Sequence, residues 1–245
     1  MASYSGRGVH GQVVHTLGAR IVGGEIAEGQ TLDIGALGAE LDVSLTVMRE
    51  ALKVLAGKGL TDARQKRGTY VRERTHWNLL DADVIGWRME TGDGTQLLRD
   101  LADVRAIVEP AAAHRAALHR TDADLAALES ALEAMGKARQ DSAAAEADTA
   151  FHRALLAATG NELLRRMDML LEPGLRERDR MVHAHADADD PVPSHRAVLD
   201  AVRERDPARA EAAMLDLLAK AAQDSDHLAR TRTRTRARAR TRTGG

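Results

Sequence analysis

Several kinds of residue are scarce or missing, and each absence excludes a class of protein. The chain has no cysteine, which excludes disulfide bonds and thiolate metal sites and is typical of the reducing cytoplasm. Aromatic residues make up only 2% of the chain, which argues against the stacking platforms that bind single-stranded nucleic acid. No apolar run approaches the length of a membrane-spanning helix, and the N-terminus lacks a signal-peptide core. We therefore expect a cytoplasmic protein without membrane contact.

The charge of the chain is unevenly distributed, although the net charge is only −2. Residues 1–74 carry ten Lys or Arg against eight acidic residues, and residues 230–245 carry seven Arg and no acid. Residues 75–229 therefore hold 18 basic and 29 acidic residues, a net charge of −11. Basic segments at both ends of an acidic body indicate that the N-terminal part meets nucleic acid. At 245 residues the chain is long enough for two modest domains.

Residues 32–72 have the pattern of a helix-turn-helix. A first helix that ends at Asp42 is predicted from apolar residues at helical spacing, namely Ile34, Leu37 and Leu41. Ser44 then caps a second helix, whose buried stripe is predicted to be Val47, Met48, Ala51, Leu52 and Leu55. An earlier helix within residues 11–23 is expected to pack behind these two.

The opposite face of the second helix is polar and basic, as in a recognition helix that enters the major groove. Residues 60–64 and 69–72 then predict a two-stranded wing, with a basic turn at 65–68 that contacts phosphate or the minor groove. The predicted DNA-contacting residues are Ser44, Leu45, Thr46, Arg49, Lys53, Lys66, Arg67 and Gly68. A helical hairpin with a merely solvated basic face is the alternative, and the fixed order of helices, basic turn and strand argues against it.

The remainder of the chain is predicted to be mainly α-helical. We place a winged helix-turn-helix domain at 8–74, a linker at 75–95 whose apolar residues dock on a neighbouring domain, and an antiparallel all-α bundle at 96–228. The predicted helices of the bundle are 96–119, 121–139, 142–159, 161–186, 193–204 and 207–228. The Arg-rich tail at 229–245 is predicted to be disordered. It either adds salt-sensitive affinity for phosphate or serves only solubility.

A group of polar residues in the predicted bundle has the composition of a metal site. Asp148 and His152 are spaced four residues apart, so they project from one face of a helix, which Leu155 and Leu156 continue toward the interior. Unpaired burial of these groups would be costly, and His195 is predicted to face the same interior. One Asp and two His suit zinc, nickel or manganese. A simple ion pair within one helix is the alternative.

The sequence SLTVMREAL at 44–52, together with Leu55, Gly59-Leu60 and Gly68–Val71, resembles the winged helix-turn-helix of the GntR family of bacterial transcription regulators. The family usually has Arg after the Ser and Pro two residues later, where this chain has Leu45 and Val47. That Arg commonly contacts bases in the family. Leu45 therefore removes a bidentate donor to guanine and offers only apolar contact, such as to a thymine methyl group.

Residues 96–228 look like the FCD effector-binding domain of the FadR-type branch of this family, through Asp148–His152, Gly160-Asn161 and residues 194–199. Many members hold a metal with an Asp, the His four residues later and two further His. The first three match Asp148, His152 and His195, whereas Leu217 occupies the fourth position. A metal is therefore expected to bind more weakly, unless His183 or His185 substitutes.

The same resemblance implies an effector pocket for small carboxylates, with Arg105 as the anchor because its guanidinium fork matches a carboxylate. Glu109 shares the helix face of Arg105, and the alternative for this pair is a plain surface ion pair. Asn161 is a further candidate, although a role as a helix cap is also consistent with its position.

Residues 77–84 and 104–110, together with the missing fourth His, resemble the galactonate-operon repressors of this branch. The resemblance implies a sugar-acid effector, with D-galactonate as the first candidate. From the layout of the chain we expect a homodimer on a palindromic operator, which the effector releases from the DNA. Another organic acid, or an activator, would show the same residues. Two other classes are alternatives: a metal-dependent hydrolase using Asp148, His152 and His195, and an architectural protein that binds DNA through its tail.

Overall fold

The chain divides into two compact units, residues 1–97 and 98–245, and the computed structural model describes residues 8–66, 68–91, 94–138, 140–168 and 190–223. The elements of the first unit are α1 (Val9–Val22), α2 (Ile34–Glu40), α3 (Leu45–Gly57), β1 (Thr61–Arg64), β2 (Gly68–Val71), a short 3-10 turn (Arg74–His76) and α4 (Ala82–Glu90). None of the described helices is long and apolar enough to cross a membrane.

Helices α2 and α3 form the predicted helix-turn-helix, and each begins at a side-chain cap. The Asp33 carboxylate accepts a hydrogen bond of 2.9 Å from the Ala36 amide, and the Ser44 hydroxyl accepts one of 3.3 Å from Val47. Asp42 reverses the chain between the helices in the left-handed conformation, with φ 52°. The predicted stripe of α3 is buried at Met48, Ala51, Leu52 and Leu55 and half-buried at Val47.

Strands β1 and β2 form the predicted wing as an antiparallel hairpin in which Thr61 pairs with Val71 and Arg64 with Gly68. The first strand begins one residue later than predicted. Lys66 and Gly68 both have positive φ, of 67° and 80°, which closes the tight turn. Arg67, predicted at the tip of the wing, lies outside the described residues.

The segment predicted as a linker contributes to the core of the first unit. Trp77, Val84 and Trp87 pack with the buried residues of α1 and α3. The Trp87 ring lies against Gly18 of α1, where an added Cβ would approach the ring to 2.4 Å. Helix α4 was not predicted, because its apolar pattern is too short to identify a helix.

The described part of the second unit is entirely helical, as predicted. Its elements are α5 (Gly94–His119), α6 (Asp122–Lys137), α7 (Asp141–Ala158), α8 (Glu162–Arg166), α9 (Val192–Arg203) and α10 (207–223). Thr121 and Asp124 form a reciprocal capping box that begins α6. The short connection between α6 and α7 makes them antiparallel neighbours. Together with α9 and α10 they enclose a core that includes Leu128, Phe151, Leu155, Val198 and Met214.

The predicted helix at 161–186 agrees with the structure only at its beginning. Helix α8 ends at Arg166, and residues 169–189 lie outside the described part of the chain. The Arg-rich tail at 229–245 also lies outside it.

Candidate functional site

Helix α3 presents its candidate DNA-contacting residues to solvent. Thr46, Arg49 and Lys53 are all exposed, and Leu45 is 53% exposed at the first position of the helix. The Lys53 ammonium donates a 2.7 Å hydrogen bond to the exposed Glu50 carboxylate, which partly offsets its charge. The Ser44 hydroxyl caps the helix. Arg49 is therefore the strongest candidate on this face for a base contact.

The wing is braced by side chains on its two strands. The Tyr70 hydroxyl donates a 3.0 Å hydrogen bond to Asp62 across the hairpin, and this bond helps to lower the pKa of the Asp62 carboxyl below its usual value. The Arg64 guanidinium lies 5.4 Å from the centre of the Tyr70 ring. Lys66 is exposed at the turn beside Gly68. Lys66 is therefore a cation at the tip of the hairpin, and no described acidic side chain forms an ion pair with it.

The second unit brings the three candidate metal ligands together. Asp148 and His152 lie on α7 and His195 on α9, and all three side chains are buried. One ligand atom of each lies within 4.8 Å of the others. Nε2 of His195 is 3.0 Å from Asp148 Oδ1, and Nε2 of His152 is 3.7 Å from Asp148 Oδ2. The Phe151 ring meets the His195 ring edge to face at 4.9 Å and fixes its orientation.

The contacts of His195 indicate which nitrogen can bind a cation. Nδ1 lies 2.8 Å from the Pro191 carbonyl, which can only accept, so Nδ1 carries a proton. If the ring is neutral, Nε2 carries no proton and its lone pair faces Asp148 Oδ1. No hydrogen bond of acceptable geometry joins Nε2 to a described residue. Two acceptors that face each other at 3.0 Å fit a cation held between them. In many metal-binding histidines, the ring nitrogen that does not bind the metal donates its hydrogen bond to a backbone carbonyl, as Nδ1 of His195 does here.

Arg105 and Glu109 belong to the same buried cluster, so the alternative of a surface ion pair is wrong. Arg105 Nε donates to Glu109 Oε1 at 2.7 Å and Nη2 donates to Oε2 at 3.2 Å. Nη2 also lies 3.1 Å from His152 Nε2, while His152 Nδ1 is 3.0 Å from Glu109 Oε2. A guanidinium can only donate, so His152 Nε2 accepts from Arg105. A metal and Arg105 therefore compete for the same lone pair.

The charge of Glu109 is stabilised by this geometry. Burial would by itself raise the pKa of Glu109, but the charge of Arg105 and the contacts with Arg105 and His152 outweigh it and lower the pKa to about 2. Glu109 is therefore an anion that already occupies the guanidinium fork of Arg105.

The three ligands fit a divalent metal, and the fourth position does not. Leu217 is 3% exposed and packs in the apolar core with Met214, so it offers no donor there. His183 and His185 lie outside the described residues. Three protein ligands leave room for an outside ligand to complete the shell.

The hydrogen bonds of Asn161, the remaining effector candidate, are those of a helix cap, whereas Thr149, which was not predicted, has an unpaired hydroxyl among the described residues. Asn161 caps α8, with its side-chain oxygen 2.9 Å from the Leu163 amide and 3.2 Å from that of Leu164. Thr149 was not among the predicted site residues; its hydroxyl is buried next to Asp148 and has no hydrogen-bond partner among the described residues. No sequence signal distinguishes such a hydroxyl from one that bonds its own helix.

Comparisons with known proteins identify both units. Residues 10–71 match the family model of bacterial regulatory proteins of the gntR family, and residues 100–220 match the FCD domain. The galactonate operon transcriptional repressor of Escherichia coli is 35% identical over 217 residues, which cover 86% of this chain and 94% of that protein. The chain belongs to the GntR family. LutR, a transcriptional regulator of Bacillus subtilis, is also 35% identical to this GntR regulator, over 80% of this chain and 91% of LutR.

The family membership decides the class of activity. This GntR regulator is a DNA-binding transcription regulator of a family that includes repressors, and it is not an enzyme. The alternative of a metal-dependent hydrolase is therefore wrong. A solved structure of Lar, which controls the Listeria monocytogenes agr system, has the same fold, with a TM-score of 0.63 at 17% identity over 91% of this chain and 99% of that chain.

Proposed function

We propose that this GntR regulator is a homodimeric repressor that leaves its operator when a small carboxylate binds in the second unit. The observation that supports the proposal is the buried cluster of Arg105, Glu109, Asp148, His152 and His195, because convergent buried charges and imidazoles are the usual composition of a ligand site. An activator with the same site is the alternative. Whether the protein represses or activates transcription depends on where its operator lies in the promoter, not on these residues.

The proposed DNA interface is the exposed face of α3 together with the wing. In a homodimer, two copies of α3 would enter successive major grooves about 34 Å apart, so the operator would be a palindrome with half-sites about one helical turn apart. Arg49 and Thr46 would contact base edges, Leu45 would meet an apolar group such as a thymine methyl, and Lys53 would lie near phosphate. The wing residues Lys66, Arg67 and Gly68 would contact the backbone or minor groove. The Ser44 hydroxyl would hold the helix start in place.

The proposed resident metal is a zinc, nickel or manganese ion held by Asp148, His152 and His195. Arg105 contributes one positive charge and Glu109 and Asp148 one negative charge each, so with neutral histidines the site has a formal charge of −1. A divalent ion would change this charge to +1 and would so make the site attractive to an anion. Anion binding is therefore expected to require the metal.

Arg105 is the proposed anchor of the effector carboxylate. Its guanidinium fork already binds the Glu109 carboxylate bidentately, which shows the geometry that an effector carboxylate would reproduce. When Arg105 turns toward the effector, it leaves His152 and Glu109. This exchange changes the packing of α5 against α7 and so favours an arrangement of the dimer that releases DNA. Asn161 is assigned to capping α8 rather than to the effector.

The proposed effector is a sugar acid, and D-galactonate is the first candidate because a relative of this chain is a galactonate operon repressor. Another similar protein, 29% identical, is described as a probable D-xylose utilization operon repressor, so other small organic acids remain alternatives.

A thermal-shift titration tests this proposal, because a ligand that binds only the folded state raises the melting temperature. We expect D-galactonate to raise it, and we expect the rise to disappear after chelation and in the Arg105→Lys variant, which retains the charge but loses the fork. Arg165→Lys, at an exposed position of α8, is the matched control and should respond like the wild type. If no sugar acid produces a shift, the sugar-acid assignment is wrong.

A further inference from the structure

The Thr149 hydroxyl is buried without a hydrogen-bond partner. Thr149 is 4% exposed, and no donor or acceptor among the described residues reaches its Oγ1. Buried hydroxyls are almost always hydrogen-bonded, often to a carbonyl of their own helix. Thr159, near the end of the same helix, shows this ordinary arrangement, because its buried hydroxyl donates to the Leu156 carbonyl and accepts from the Asn161 amide. The Thr149 hydroxyl has therefore lost its hydrogen bonds to water, and no hydrogen bond to a described residue replaces them.

Thr149 lies on the side of α7 that meets α5. With about 100° per residue, Thr149 is about 20° from Leu156 and about 60° from His152 around the helix axis. His152 contacts Arg105 and Glu109 of α5, and Leu156 packs against Ala112 of α5. Thr149 is therefore held one turn from His152, next to Asp148, on the α5-facing side of the cluster.

We propose that Thr149 is a specificity residue that hydrogen-bonds a hydroxyl group of the effector, so that the site selects hydroxylated carboxylates. This inference rests on the proposed effector site. A hydroxyl both donates and accepts, so it matches an alcohol group of either polarity. A buried polar group that is unpaired without the right ligand discriminates strongly against ligands that cannot pair with it. Arg105 would recognise the carboxylate and Thr149 the carbon chain that carries the hydroxyls.

Three variants test the assignment in the full-length, metal-loaded protein. Calorimetric titration with D-galactonate measures the affinity of each variant, and thermal denaturation without ligand measures its melting temperature. Thr149→Val keeps the shape but removes the hydroxyl, so we expect about tenfold weaker binding and an unchanged or higher melting temperature of the unliganded protein. Thr149→Ser restores the hydroxyl and should bind within about threefold of the wild type. Thr159→Val removes a satisfied hydroxyl, so we expect a lower melting temperature with unchanged affinity.

The outcomes separate this inference from the function on which it rests. Wild-type binding that is equally strong in Thr149→Val would overturn the role of Thr149 and leave the sugar-acid sensor intact. A Thr149→Val variant that loses stability together with affinity would show a structural role and would also overturn it. Failure of the wild type to bind D-galactonate and other hydroxylated acids would reject the proposed effector class, and the Thr149 assignment with it.

Discussion

At the scale of single residues, burial decides what a pair of charges does. Arg105 with Glu109 and Lys137 with Glu133 have the same spacing of four residues, and each pair forms an ion pair. The side chains of the first pair are 7% and 1% exposed, whereas those of the second are 73% and 66% exposed. Water screens the second pair, so it contributes little to stability. Loss of one partner in the first pair leaves a charge in the interior.

Glu109→Ala is therefore expected to lower the free energy of unfolding by about 3–5 kcal/mol, because the Arg105 charge remains buried without its partner. Glu109→Gln should cost less, since its carboxamide oxygen still accepts from Arg105. Urea denaturation of the chelated protein, followed by circular dichroism, measures both. Glu133→Ala is the matched control and should not change stability measurably. Equal effects at the two positions would contradict the assignment of Glu109 to the buried cluster.

At the scale of elements, the end of the recognition helix is fixed by the segment that follows the wing. The Lys58 ammonium lies 2.8 Å from Asp81 Oδ1 and 2.7 Å from Asp83 Oδ2, at the start of α4. The Asn78 amide donates a 2.9 Å hydrogen bond to the Lys58 carbonyl. Gly59 adopts φ 78°, and a Cβ there would approach the His76 carbonyl oxygen to 2.2 Å. Helix α3 is thus joined to α4 through Lys58.

Lys58→Met should lower the free energy of unfolding at pH 8 by about 2 kcal/mol, because charged hydrogen bonds to both carboxylates are lost. Burial would lower the pKa of Lys58, but Asp81 and Asp83 outweigh it and raise the pKa above 10.5. Because the folded-state pKa is raised, the contribution is complete below pH 10.5 and is lost as the pH rises through that raised value.

Urea denaturation of the wild type and of Lys58→Met, from pH 8 to above pH 10.5, checks this prediction. The difference in unfolding free energy between the two proteins should become smaller at the alkaline end. Lys53→Met on the same helix is the matched control, since Lys53 is exposed and its acidic partner among the described residues is the exposed Glu50. A difference that stays constant with pH would show that Lys58 acts through packing rather than charge.

At the scale of the whole molecule, the two compact units match two different family models. The model of the gntR family of bacterial regulatory proteins matches residues 10–71 of the first unit, and the FCD domain matches residues 100–220 of the second. Residues 75–229 carry a net charge of −11, which disfavours contact between this segment and phosphate. Affinity for a specific operator should therefore depend on α3, and the Arg-rich tail should add only a sequence-independent contribution.

Arg49→Ala is expected to weaken binding to the operator by about tenfold or more, because a good base contact contributes about 1–3 kcal/mol. Removal of residues 230–245 should reduce binding to all duplexes and flatten its salt dependence without changing sequence preference. Fluorescence anisotropy at two salt concentrations, on an operator selected from random duplexes, measures both effects. Arg165→Ala, exposed on α8, is the control. Tail removal that abolishes binding while Arg49→Ala has no effect would favour the architectural alternative.

Local patterns in the sequence were enough to predict the helix-turn-helix, the wing and most of the helical bundle. Ser44 as a cap, the stripe from Met48 to Leu55, and the shared face of Asp148 and His152 each depend on residues within a few turns of one another. Helix α4 escaped prediction because its apolar pattern is too short to identify a helix, and its packing depends on distant partners, such as Gly18 against Trp87. The unsatisfied hydroxyl of Thr149 could not be predicted either, since its state depends on every neighbouring group.

The sequence by itself thus determined the family, the helix-turn-helix and the three candidate metal ligands. The tertiary structure decided that Arg105 and Glu109 are buried, that they meet His152, and that Lys58 joins α3 to α4. The physical reason is that periodicity and capping act between residues close in the chain. The environment of a buried charge depends on groups such as Arg105 and His152, which lie 47 residues apart and meet only when α5 packs against α7.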